Sequence, residues 1–232
     1  MYIEKFKFKN RDDAAEQLYK VLPINTMQEE DWTIIATSAG SVPIALNLAY
    51  KIHASFDYMF TKKIFTKKNS DCEIAIITET QDVIVHENIL KSFNLNLEKI
   101  YKKSEALYKK DIIKYKQQYR GGKDLIDLEG KNVLLVDEGL NTGLTMMACI
   151  KAVVNKKVKS ICVAVPILPH VTINDIETIA DDLYYVNAPE HFISIDFYYD
   201  KLENIELEDI ERLKEKLKNE KLKQKEKNVN NM

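Results

Sequence analysis

The chain has 232 residues, 45% of them hydrophobic, with 34 lysines and arginines against 36 aspartates and glutamates. That length suggests one domain, or one domain with additions, and enough apolar material for a sizeable core. A formal net charge of −2 argues against a global field for nucleic acid or a membrane surface, so a small polyanion would have to be held by a local site.

Cys72, Cys149 and Cys162 are scattered, with no CxxC pair and no His/Cys cluster at zinc spacing. Cys149 and Cys162 sit in apolar surroundings and read as core filling. A reducing cytoplasm is the simplest expectation. The first ten residues carry no apolar signal-like region, and no run approaches the ~18 apolar residues of a transmembrane helix.

In chain order, residues 11–22 read as a short amphipathic helix stopped near Pro23, and 32–37 as a buried strand. SAGSVP follows, then a helical pattern over 44–53. Residues 57–61 look like a strand and 62–71 like a charged connection. EIAIIT (73–78) and VIVH (83–86) pair as neighbouring strands across the turn ETQD. A long helix spans about 97–119, with Tyr101, Tyr108 and Tyr115 forming one stripe that reads as packing or a homodimer face, and Gly121 and Gly122 ending it. NVLLVD (132–137) is a buried strand, followed by a helix with Leu144, Met147, Ile150 and Val154 on one face. ICVAVPIL (161–168) and LYYV (183–186) are further strands, with a helix over 174–180 between them. Strands without alternation, separated by helices, predict an α/β fold: a doubly wound, mostly parallel sheet flanked by helices. Residues 1–200 form this domain, and 201–232 a charged helix and disordered tail.

VLLVDEGLNTGLT (133–145) carries the chemistry. Ligands of open α/β sheets bind outside the carboxyl ends of the strands. Asp137 and Glu138 end the strand and can accept hydrogen bonds from vicinal hydroxyls. Gly139 and Gly143 allow a turn and close approach. Asn141 to Thr145 present N–H groups at a helix N-terminus, an anion site. Carboxylates for a diol beside a cradle for a phosphate describe a ribose 5-phosphate. The competing motifs fit worse: there is no GxxxxGK[ST], no GxGxxG, and Gly139 stands where a DxD site needs its second acid. His53, His86, His170 and His191 show no metal spacing.

This stretch resembles the phosphoribosyl diphosphate (PRPP) motif of type I phosphoribosyltransferases: two acids, two variable residues, a small residue, then Thr-Gly-x-Thr. TSAGSVPIALNLA stands where a subgroup of phosphoribosyltransferases carries a Pro-Arg-Gly-Gly-Val-Pro loop. TKKI, EIAI, YRGG and ICVAVPILP follow in the subgroup's order, so the resemblance covers 32 to about 200. It implies that Asn141, Thr142, Gly143, Leu144 and Thr145 bind the 5′-phosphate, and that Asp137 and Glu138 contact the ribose diol. It also implies that Ser38, Ala39, Gly40 and Ser41 hold pyrophosphate, and that Mg²⁺ binds mainly through PRPP.

The departures are Glu138 where Asp is usual, Ala39 in place of the subgroup's Arg, and Ser41 in place of a Gly. Asn141 replaces an Asp base of purine-salvage members, and an amide cannot take that proton. The expected reaction is phosphoribosyl transfer to an unidentified, nucleobase-like nitrogen, with Lys62, Lys63 and Arg120 stabilising the leaving pyrophosphate. These three flank a charged insertion expected to close as a lid. Residues 1–31, with parts of 187–200, are the expected acceptor hood. The alternative is a non-catalytic PRPP- or nucleotide-binding regulator of the same fold, favoured by the altered first loop.

Overall fold

The structure, a computed structural model, describes residues 6–66 and 72–215. The expected disordered tail beyond 215, the first five residues of the expected hood and the second half of the charged connection (67–71) lie outside these residues. Five parallel strands form the main sheet: β1 (Trp32–Ala36), β2 (Ser55–Tyr58), β6 (Asn132–Val136), β7 (Ser160–Ile167) and β8 (Asp182–Asn187), in the order β2-β1-β6-β7-β8. β1 and β6 are buried at every position, as expected for strands covered on both faces. The sheet reverses its winding between β1 and β6, and the chain leaves both strands at the same edge. That edge is where a doubly wound sheet opens its crevice.

One face is covered by α1 (Arg11–Val21) and α3 (Val42–Lys51), the other by α7 (Leu144–Val154) and α8 (Ile173–Glu177). Asn10 caps α1 by accepting from the Asp13 amide, which satisfies one of the orphan N–H groups of the first turn. A short helix, α2 (Ile24–Glu29), follows Pro23. Its Met27 is fully buried.

The segment from 57 to 66 corrects the sequence reading. The chain leaves the main sheet at Tyr58, and Thr61–Phe65 forms a separate strand, β3, antiparallel to β4 (Glu73–Thr78). The charged connection is therefore half strand. Its lysines hide the pattern, because only Ile64 of β3 is buried. β5 (Val83–Val85) joins β4 antiparallel, as expected, to complete a three-stranded sheet of order β3-β4-β5. A short helix, α4 (Glu87–Ser92), leads from β5 towards α5.

This small sheet packs on α7. Ile76 of β4 meets Leu144 and Ala148, while Met146, Cys149, Ile150 and Val153 face the main sheet. α7 is thus buried on two sides, and Val154, expected on its packed face, is exposed.

The long helix is continuous from α5 (Leu97–Leu107) to α6 (Ile113–Arg120) through a wider π turn at Tyr108–Ile112. Such a turn shifts the side-chain register. Tyr108, Tyr115 and Tyr119 pack on the main core, whereas Tyr101 stays exposed, so the expected tyrosine stripe is broken. Gly121, at φ 57°, ends the helix. The expected charged C-terminal segment also contributes to the core: residues 209–215 are helical and Ile210 is fully buried.

Candidate functional site

A cavity of about 530 Å³ opens at the carboxyl end of β6. Its floor is the turn 137–146. Its walls include Ser38 from the loop after β1, Thr61 and Lys63 from β3, and Ile195 from the C-terminal segment. The structure therefore brings Asp137, Glu138, Lys63, Ser38 and the whole 141–145 turn to one place.

The turn leads into the start of a helix. Gly143 lies at φ 73° and is the N-cap of the eleven-residue α7, a left-handed conformation that a side chain would strain. The first amides of a helix have no intrahelical acceptor. The residues of this first turn, with Thr142 and Thr145, border the cavity. Thr142 Oγ1 also accepts weakly from the Leu144 amide at 3.4 Å. The helix dipole adds partial positive charge at the same point.

The two acids are held differently. Asp137 is buried, with Oδ2 accepting from the Thr37 hydroxyl at 2.8 Å and Oδ1 from the Ser38 hydroxyl at 2.7 Å and the Glu138 amide at 2.9 Å. Burial pushes its carboxyl above the usual range, against the opposing effect of these donors and of Lys63. Glu138 is raised by burial and then by the neighbouring Asp137 charge, opposed by Arg11. Arg11 donates to Glu138 Oε2 from Nε at 3.0 Å and from Nη2 at 2.8 Å. The Tyr199 hydroxyl donates to the Glu138 carbonyl at 2.7 Å. A Cβ at residue 40 would collide with the Glu138 carboxylate, so Gly40 serves to let that acid lie flat against the first loop.

The first loop turns its polar groups inward. Ser41 is fully buried, its hydroxyl donating to the Ser38 carbonyl at 2.8 Å and accepting from the Ser38 amide at 3.2 Å. Of Ser38, Ala39, Gly40 and Ser41, Ser38 alone borders the cavity. Lys63, half exposed, pairs with Glu73 at 3.0 Å. Lys62 lies over the Tyr115 ring at 4.7 Å, with Asp111 at 3.8 Å.

Arg120 requires a correction. It does not border the cavity but donates to Glu79 at 2.6 Å and to the Tyr58 carbonyl at 3.0 Å, with Asp57 at 3.7 Å. Glu79, raised by burial despite this arginine, in turn accepts from the Phe60 amide at 3.0 Å. The group clamps the start of β3 to the end of β4.

Arg11, Thr37, Thr61 and Tyr199 were not among the residues expected from sequence. One signal was available for Arg11: only Arg11, Arg120 and Arg212 of the 34 basic residues are arginine. An arginine in a lysine-rich chain marks a place that needs a planar fork. Among the described residues no group of three His, Cys, Asp or Glu is arranged to hold a metal. A magnesium ion in this cavity would therefore rest on ligand oxygens and water, a donor set that suits this ion. No helix of the described residues is long and apolar enough to cross a membrane.

Fold and cavity together define a doubly wound α/β protein in which a helix N-terminus and paired acids meet at the switch point. Residues 8–201 match the family model described as "Phosphoribosyl transferase domain", and the chain belongs to that family. Two proteins of Mycobacterium tuberculosis, from strains CDC 1551 / Oshkosh and H37Rv, each named "Putative phosphoribosyl transferase", are 22% identical over 191 residues. The match covers 81% of this chain and 42% of theirs, so the chain spans less than half the length of these relatives. The crystal structure of TT1426 from Thermus thermophilus superposes with a TM-score of 0.71 at 20% identity, covering 90% of this chain and 97% of the other. That likeness concerns the fold.

Proposed function

We propose that the protein is a phosphoribosyltransferase that binds Mg²⁺-PRPP and transfers its 5-phosphoribosyl group to a nucleobase-like nitrogen. One observation carries this reading: the amide cradle at Gly143, the acids Asp137 and Glu138 and the cation Lys63 border a single cavity. Asn141 to Thr145 hold the 5′-phosphate. The free acceptor positions of the two acids take the ribose hydroxyls. The bond from C1 to the pyrophosphate oxygen breaks as the acceptor nitrogen bonds to C1. Pyrophosphate leaves with the electron pair, and the acceptor's proton passes to solvent.

Magnesium, held through PRPP oxygens, would neutralise charge on the departing pyrophosphate. Lys63 is the group of the chain nearest that role, and catalysis comes from positioning and electrostatics. The test is calorimetry with Mg²⁺-PRPP followed by pyrophosphate release with a panel of bases. Binding weaker than about 1 mM, worth only ~4 kcal/mol, would reject the proposal.

A second reading is a non-catalytic PRPP- or nucleotide-binding regulator. The inward-turned first loop favours it, since Ser41 is buried and Ala39 offers no cation. Tight binding with no pyrophosphate released for any base would decide for it.

A further inference from the structure

Arg11 opens α1, far in sequence from the PRPP motif, yet each of its three guanidinium nitrogens makes a hydrogen bond, two of them to the second acid. Nε and Nη2 both donate to Glu138 Oε2, and Nη1 donates to the Glu203 carbonyl at 2.8 Å. Two donors fill the lone pairs of Oε2. Oε1 has no hydrogen-bond partner among the described residues, and Glu138 borders the cavity. Asp137 and Asp196 both act on this carboxylate repulsively. Without the guanidinium, two buried neighbouring acids would compete for one negative charge, and the glutamate would be free to rotate or to take a proton.

We infer that Arg11 is a positioning residue for the ribose: by gripping Oε2 it presents Oε1 of Glu138 as a fixed acceptor for one sugar hydroxyl. The inference rests on the reading of this cavity as a ribose 5-phosphate site. It also explains the longer acid. A glutamate reaches sideways to an arginine on the first helix, while the shorter Asp137 stays on the serine and threonine of the first loop. The same guanidinium ties the acid to residue 203, so the start of α1, the second acid and the C-terminal segment keep one geometry.

The test measures affinities of wild type, Arg11→Met and Arg11→Lys for ribose 5-phosphate, its 2-deoxy and 3-deoxy analogues, and inorganic phosphate. Wild type is expected to bind each deoxy sugar about tenfold more weakly than ribose 5-phosphate, the value of one hydrogen bond to a charged acceptor. In Arg11→Met, one of these two penalties collapses to about twofold or less, while inorganic phosphate binds as in wild type. Arg11→Lys keeps the charge without the fork and is expected to fall between them.

Retention of both penalties in Arg11→Met would overturn the inference. So would tighter binding of every sugar, which would make Arg11 a lock on the acid. A parallel loss of sugars and inorganic phosphate in both variants, with a lowered melting temperature, would reduce Arg11 to a structural role and overturn it as well. Wild type that binds no sugar phosphate would overturn the ribose site itself, an outcome distinct from all of these.

Discussion

At the scale of single residues, the site separates binding from stability. Thr142→Val removes a hydroxyl at the proposed phosphate site and should weaken ribose 5-phosphate or PRPP by ~1.5–3 kcal/mol, read by calorimetry as roughly tenfold to a hundredfold.

Asp137→Asn bears on the pH dependence of the fold. Burial raises the Asp137, Glu138 and Glu79 carboxyls, so folding takes up protons there. Their contribution to stability is complete below the unfolded value near ~4 and is lost as pH rises through the raised folded values. Scanning calorimetry of wild type should show melting falling with pH across that window. Asp137→Asn should flatten this slope while losing sugar-phosphate affinity.

The acids and the Thr-Gly-x-Thr turn were legible in the sequence because strand end, turn and helix start are contiguous there. Arg11 was not, since its partner lies 127 residues away and no local pattern encodes the pairing. Ser41 shows a third case. Its position was legible, but whether its hydroxyl faced the ligand or the loop depended on the Ser38 backbone.

At the scale of elements, the parallel strands were readable from unbroken apolar runs, whereas β3 was not. A strand with one buried side chain in five carries no run and no alternation strong enough to separate it from a charged loop. The long helix was readable in extent but not in facing, because the π turn at Tyr108–Ile112 offsets the heptad spacing of its tyrosines.

Arg120 belongs to this scale as well. Its side chain and that of Glu79 are 10% and 2% exposed, and they fasten the small sheet where it leaves the main one. Arg120→Met should destabilise the fold by about 3–5 kcal/mol, because it strands a buried carboxylate. Adding Glu79→Gln should recover part of that loss. Urea unfolding of the single and double variants measures both. An Arg120→Met protein as stable as wild type would show that Glu79 is already protonated in the fold.

At the scale of the whole molecule, the cavity is assembled from distant parts of the chain. Phe8 bridges in parallel to Tyr199, with amide bonds of 2.8 Å on either side, and Tyr199 reaches on to Glu138. The loop after β1 supplies Ser38, β3 supplies Lys63, and α7 supplies the amides.

The position of α7 between two sheets has a further consequence. Fixing a phosphate at its first turn restrains the helix, and the helix is what the small sheet rests on. Hydrogen–deuterium exchange should therefore slow in β5 when ribose 5-phosphate is added, although β5 borders no part of the cavity. The ligand would be felt as rigidity about two layers away from where it sits, and unchanged exchange in β5 would mean that the small sheet breathes independently of the helix beneath it.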